Sequence, residues 1–449
     1  MVNIYKTRKG LDIKMKGSAQ RFKVKIDLSD EVALVPASFC GVTPKVVVKE
    51  GDKVLAGDTL FVNKQYPNIK FSSPVSGTVK AIERGERRRV LRVVVQTDKE
   101  QKFVDFSKRD INGLSKQETI DCLLEAGLFG YINQLPYAIS TNVEVMPKSI
   151  FVSALRDKPL SCDFEYELSG NEKHFQTGLT ALSKIAKTYL GIGRNQASQS
   201  LRQAKDVEVN IFDGPCPAGN VGVQINHISP VNKGEIVWTV DPTVVIFIGR
   251  LFDTGRVDLR RTIAICGSEV ENPCYADVIV GQKINSIIEG RVKTDRHCRV
   301  INGNVLTGAP CSDNDYLNAN SSEVTVIPEG DDTHEMFGWI LPRLKQFSVN
   351  RSYFSWLFKN KNYSFDARIK GGKRNMIMSG EYDNVLPMDI YGEYLIKAII
   401  TGDIDKMEAL GIYEVAPEDF ALAEFVDSSK LELQQIVRNG LDMLRKENS

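Results

Sequence analysis

Apolar residues at Ile120, Leu123, Leu124 and Leu128 are spaced by three, one and four, which is the helical period. The pattern predicts a helix over 117–126, stopped at Gly127. A loop over 127–148 should follow, then an apolar strand over 149–154. Leu179, Leu182, Ile185 and Ala186 mark one face of a helix over about 174–189, and a second helix is expected over about 196–204. A strand at 207–212 runs into the Gly/Pro loop Asp213-Gly-Pro-Cys-Pro-Ala-Gly219. Asp241 as N-cap and Pro242 in the first turn begin an apolar helix over 243–252.

Alternating helix and strand signals over 101–255 predict a Rossmann-like α/β domain. Residues 36–100 read differently, with short strands punctuated by turns at Gly51-Asp52 and Gly57-Asp58. The pairing of V-x-x-G-D…G-D-x-L with Ser73-Pro-Val-Ser-Gly-Thr-Val79 resembles the biotinyl/lipoyl-type barrel-sandwich hybrid. Its hairpin tip falls near Tyr66-Pro67-Asn68, where neither Lys64 nor Lys70 has a carrier lysine's setting, so the domain is expected to be unmodified. Residues 256–330 give two strands, a short helix at 284–288 and two more strands, which predict a ubiquitin-like β-grasp domain. Residues 331–449 are mainly helical, with helices expected at about 391–401, 403–410, 417–425 and 429–446. The first segment, 1–35, alternates over 22–26 like an edge strand and should pack on the Rossmann-like domain.

Composition narrows the function. The chain has 449 residues, with 58 basic and 57 acidic, for a net charge of +1. That balance supplies no field for nucleic acid, and the run at Arg84, Arg87, Arg88 and Arg89 reads as a solvated hairpin turn. No window reaches the roughly 18 apolar residues of a membrane span, and residues 1–10 lack the apolar core of a signal peptide, so a cytoplasmic protein is expected. Eight cysteines are scattered without a C-x-x-C, which excludes zinc-ribbon and ferredoxin-type cluster spacings. Buried thiols are the expectation. No nucleophile–base arrangement or metal set stands out, and His334-Glu335 lacks a second histidine.

The stretch 125–137, E-A-G-L-F-G-Y-I-N-Q-L-P-Y, has the position of a cofactor loop. Backbone approach to a phosphate needs glycines, and only Gly127 and Gly130 are present. Gly191-Ile-Gly193 lacks the third glycine of a dinucleotide fingerprint, since Gln196 stands there, and reads as a simple turn. The aromatic stretch Phe337, Trp339, Phe347, Tyr353, Phe354, Trp356 and Phe358 reads either as core of the helical domain or as a docking surface.

Together, Lys9-Gly-Leu-Asp12, Lys70-Phe-Ser-Ser-Pro-Val-Ser-Gly77, Asp213-Gly-Pro-Cys-Pro-Ala-Gly219, Phe337-Gly-Trp339 and Phe347-Ser-Val-Asn-Arg351 resemble the A-subunit family of the sodium-translocating NADH:quinone oxidoreductases over essentially the whole chain. The resemblance implies a peripheral subunit on the cytoplasmic side of the bacterial inner membrane. Its partners would be five other subunits, chiefly the quinone-reactive membrane subunit, in a complex that oxidises NADH, reduces ubiquinone to ubiquinol and exports Na(+). Flavins, an iron–sulfur cluster, NADH and quinone would be handled in other subunits, and this chain would bind no cofactor and be inactive alone. The architecture also resembles the flavin-binding subunit of complex I without its cofactors. Glu125-Ala-Gly-Leu-Phe-Gly130 matches the start of that subunit's E-S-G-L-R-G-R-G-G-A-G-F-P loop, and then Tyr131-Ile-Asn-Gln-Leu135 replaces the glycines. No cysteine follows Cys311, so the helical domain lacks cluster ligands. The alternative is a redox-active flavin/iron–sulfur electron-transfer subunit of the complex I or ferredoxin-linked ion pump type. The family's link to quinone (ubiquinone or menaquinone) makes the vacated loop a candidate contact. Phe129, Tyr131, Ile132, Pro136 and Tyr137 would supply walls, while the Tyr131 and Tyr137 hydroxyls and the Asn133 and Gln134 amides would supply donors. The competing expectation is that these rings simply fill the space of a lost flavin.

Overall fold

The central element of the computed structural model, which describes residues 3–448 except 294, 332–342, 345 and 359, is a seven-stranded sheet. Its strands are β1 (Asn3–Lys6), β2 (Asn133–Leu135), β3 (Ile139–Ser140), β4 (Ser149–Ser153), β5 (Thr188–Gly193), β6 (Glu208–Asp213) and β7 (Val237–Val240), in the spatial order β1-β6-β5-β4-β7-β2-β3. The five from β1 to β7 run parallel, and the β2–β3 hairpin adds antiparallel to β7. From β4 the chain moves outward through β5 and β6, then returns to the other side of β4 as β7. That reversal leaves a switch point between β4 and β7, where open α/β sheets form a crevice beyond the strand ends.

Four helices matter to this sheet: α1 (Lys116–Glu125), α2 (Glu172–Ile185), α3 (Val221–Ile228) and α4 (Pro242–Thr254). A capping box starts α1, in which Ser115 Oγ accepts from the Glu118 amide at 3.3 Å and Glu118 Oε2 accepts from the Ser115 amide at 2.8 Å. Asp241 caps α4 as expected, accepting from the Thr243 amide at 2.9 Å. Helices α2 and α4 approach closely because Gly178 and Gly249 lie at their crossing, where a Cβ would run into the Val245 and His174 carbonyls.

Four expectations change. The helix over 174–189 ends at Ile185, and residues 188–193 form the core strand β5. Gly191-Ile-Gly193 is therefore strand, not turn. Its glycines weaken the strand signal, but a Cβ at Gly191 would overlap the Gln224 side chain from α3. The helix over 196–204 shrinks to one turn, Gln199–Arg202. The expected loop after Gly127 is a 3-10 turn, Phe129–Tyr131, followed by the β2–β3 hairpin.

The N-terminal barrel-sandwich hybrid consists of a four-stranded sheet (Glu31–Leu34, Lys53–Val54, Gly77–Arg84, Val90–Thr97) and a three-stranded one (Pro44–Val46, Thr59–Asn63, Lys70–Ser72). Residues 84–89 form an exposed hairpin turn. A six-stranded sheet takes five strands from the stretch that follows, Arg260–Cys266 to Glu323–Pro328, with the helix Ile284–Ile288, and its sixth from Lys23–Val24. The N-terminal segment serves two sheets, for β1 extends the central sheet while Lys23–Val24 pairs in parallel with Cys274–Ile279. The C-terminal helices, Gly392–Thr401, Ile404–Ala409, Ala421–Val426 and α5 (Leu433–Glu447), share a core that includes Tyr382, Leu395, Phe420 and Leu441. Phe337, Trp339, His334 and Glu335 lie outside the described residues. Among the described residues no helix is long and apolar enough to cross a membrane.

Candidate functional site

Beyond the carboxyl ends of β4 and β7 lies a cleft of about 600 Å³. Ser153 and Arg156-Asp157-Lys158 line it from β4, Thr239 to Pro242 from β7, and Asn133 and Leu135 from β2. The six-stranded unit contributes Asn302, Asn304 and Glu323, and the helical unit contributes Glu418 and Arg438. Ser38 and Cys40 come from the barrel-sandwich unit, so four units of the chain meet at the switch point.

Two helices start at this cleft, and a helix N-terminus attracts anions through its free N–H groups and dipole. Both starts hold carboxylates of the chain itself. At α4, Asp241 caps the helix and pairs at 3.3 Å with Arg156 Nη2, while Arg156 Nη1 meets the buried Glu167 at 2.7 Å. Glu167 Oε1 also accepts from Thr243 Oγ1 at 2.9 Å. Burial pushes the Asp241 carboxyl up, but Arg156 and Arg261 outweigh it and hold the group below its ordinary range. At α3, Asp419 reaches in from the helical unit. Its Oδ1 accepts from Asn220 Nδ2 at 3.2 Å and its Oδ2 from the Ala416 amide at 2.9 Å. Gly222 in the first turn leaves the room, since a Cβ there would overlap the Asp419 carboxylate. Burial, with Glu418 nearby, pushes Asp419 up to about 7.

Asp157 accepts from the Gly219 amide at 2.8 Å, and burial pushes it up to about 6. Burial would lower the Lys158 ammonium, but Glu418 at 2.7 Å holds it above its ordinary value. The Arg438 guanidinium closes the far side, donating to Cys40 Sγ at 2.8 Å and to the Tyr137 carbonyl.

The six residues singled out from the sequence are divided by the fold. Phe129 is fully buried and meets Trp238 edge-on at 5.4 Å. Tyr131 is buried edge-on against Phe39 at 4.9 Å, its hydroxyl has no hydrogen-bond partner, and burial pushes its phenol up. Ile132, named beside them, is also fully buried. Gln134 is buried and accepts from Thr141 Oγ1 at 2.9 Å, and Pro136 is buried in the hairpin. Tyr137 is half-buried at φ +81°, its hydroxyl accepting from Asn448 at 3.3 Å. Asn133 alone of the six lines the cleft. Sequence reading passed over Arg156, Asp157 and Lys158, although an R-D-K run just after an apolar strand was a usable signal. Asp419 and Arg438 carried no local signal.

All eight cysteines are free thiols. Cys122, Cys162, Cys216, Cys266 and Cys274 are buried, while Cys40, Cys298 and Cys311 are partly exposed. Among the described residues no cluster of three or more His, Cys, Asp or Glu could hold a metal ion.

These features define a multidomain α/β protein with an N-terminal barrel-sandwich hybrid and a carboxylate-filled switch point. Family models match it in pieces: the NqrA N-terminal barrel-sandwich hybrid domain at residues 5–98, the NqrA second alpha/beta domain at 114–257, and the NQRA C-terminal domain at 262–313. Among curated proteins, the A-subunit of the Na(+)-translocating NADH-quinone reductase of Neisseria meningitidis serogroup A is 35% identical over 98% of this chain and 99% of its own length. That of Pasteurella multocida is 34% identical over the same shares. The chain belongs to the NqrA family, the A-subunits of Na(+)-translocating NADH-quinone reductases. Solved structures of an NAD+-reducing [NiFe]-hydrogenase are more distant. The H2-reduced state matches 40% of this chain and 41% of its own at 13% identity and a TM-score of 0.30, and the air-oxidized state 67% and 55% at 12% and 0.33.

Proposed function

We propose that this chain is a cofactor-free peripheral subunit of the sodium-pumping NADH:quinone reductase, supporting assembly and the quinone-reduction step. In this reading the complex passes electrons from NADH to ubiquinone and couples them to Na(+) export. The chain sits on the cytoplasmic side of the bacterial inner membrane among five other subunits, its main neighbour being the quinone-reactive membrane subunit, and is not catalytic alone. We read residues 101–255 as Rossmann-like and 256–330 as a β-grasp domain, in the order 1–35, 36–100, 101–255, 256–330 and 331–449.

One observation carries the cofactor-free reading. Asp241 and Asp419 fill both switch-point helix starts, so a flavin or dinucleotide phosphate would have to displace an internal carboxylate at either. For quinone contact, Asn133 and Tyr137 are the candidates nearest the surface, since Phe129, Tyr131, Gln134 and Pro136 are buried.

The test is to isolate the chain from gently solubilised membranes and assay sodium-stimulated NADH:quinone reduction. Activity arriving with five partners, and no flavin spectrum on this chain, is expected. A chain that elutes alone with bound flavin would replace this reading by the electron-transfer alternative.

A further inference from the structure

Exposed apolar side chains gather in residues 343–380. Phe354, Trp356, Leu357 and Phe358 are each about half exposed, and Ile369 and Ile377 equally or more so. Other rings of the same segment face inward. Phe347 lies 5.8 Å from both Tyr363 and Phe365 and 6.2 Å from Phe425. Tyr363 is buried and exchanges backbone hydrogen bonds with the N-terminal segment, donating to the Lys14 carbonyl at 2.9 Å and accepting from the Lys16 amide at 3.0 Å. One set of rings therefore pins the segment while the other is presented outward.

The charge of this segment is unlike that of the rest. Residues 343–380 hold nine Lys and Arg against the single acid Asp366, a net of +8 in a chain whose total is +1. Cations lie beside the exposed rings, with the Arg351 guanidinium 5.6 Å from the Trp356 centroid and Lys361 Nζ 5.5 Å from that of Phe358. An aromatic patch alone would suit any apolar partner, and a basic one any polyanion. Rings interleaved with cations match the headgroup boundary of an anionic bilayer. There the rings enter the acyl margin, and Lys and Arg stems lie along it with their charges at the phosphates.

We propose that Phe354, Trp356, Leu357 and Phe358, with Arg351 and Lys361 beside them, form a surface that seats this chain on anionic phospholipid headgroups. Exposure and charge carry this reading, independently of the chain's place in the reductase complex.

The test uses the full chain and two kinds of vesicle, phosphatidylcholine alone and phosphatidylcholine mixed equally with phosphatidylglycerol. Co-sedimentation with the anionic vesicles only is expected, with release as salt rises from about 0.1 M to about 1 M and the Debye length falls from roughly 10 Å to 3 Å. The emission of Trp356 should shift to the blue on binding, and Trp356→Phe should abolish the shift. Arg351 is exposed and Lys361 half-buried, its Nζ donating to the Leu344 carbonyl at 3.0 Å. The exposed-site variant Arg351→Glu should keep the wild-type far-UV spectrum. The double variant Arg351→Glu/Lys361→Glu, once that spectrum shows it folded, should bind at least ~10-fold more weakly. Equal binding to both vesicles, no binding by the folded chain, or binding that the double variant leaves unchanged would overturn the proposal. Failure to bind vesicles, combined with loss of assembly in the double variant, would assign the surface to a protein partner instead.

Discussion

Ser72 Oγ donates a 2.8 Å hydrogen bond to the Ala126 carbonyl, and Gly127, at φ +72°, leaves the space for that hydroxyl. Gly130 does the same for the Phe71 ring. The two glycines that give 125–130 the look of a cofactor loop thus let the barrel-sandwich unit press against the end of α1. Gly127→Ala would put a Cβ into Ser72 and a non-glycine residue at positive φ, strain worth about 1–3 kcal/mol. A lower urea midpoint for the first unfolding transition is expected. An unchanged midpoint would mean that this contact does not hold the two units together.

Arg156 ties Glu167 and Asp241 together beneath α4. Glu167 is 1% exposed, so Arg156→Met strands a buried carboxylate, at a cost of about 3–5 kcal/mol. Differential scanning calorimetry should show a large fall in melting temperature, and Arg156→Met/Glu167→Gln should recover much of it.

Asp419 sets a pH dependence of known sign. Its carboxyl is pushed up to about 7 in the folded chain, against about 4 when unfolded. The native state therefore holds the proton more tightly. The stability this group contributes is complete below about pH 4 and is lost as pH rises through about 7. Asp157, raised to about 6, adds to the same trend over a narrower window. Denaturant unfolding from pH 4 to 8 should show stability falling in the wild type and a shallower slope in Asp419→Asn.

The quinone reading separates surface from core. Asn133→Ala and Tyr137→Leu should weaken quinone-analogue binding severalfold. Tyr131→Phe removes a buried hydroxyl that has no partner and should leave binding unchanged while altering stability little or raising it by about 1 kcal/mol. Isothermal titration of the three variants decides it, and equal affinities throughout would remove quinone from this loop.

Local signals were legible wherever one stretch of chain settles its own structure. The 3.6-residue period marked α1, Asp241-Pro242 marked the start of α4, and the paired Gly-Asp turns marked the barrel-sandwich unit, because caps, turns and amphipathic faces are satisfied within a few residues. The replacement of glycines after Gly130 was also plain from residue type. Only the tertiary structure made 188–193 a strand, since its glycines read as a turn until Gln224 packs over Gly191. Only it divided the N-terminal segment between two sheets, buried Phe129 and Tyr131, and brought Asp419 to the start of α3. Strand pairing, burial and the closing of a helix start depend on partners remote in the chain, and no local pattern encodes which partner arrives.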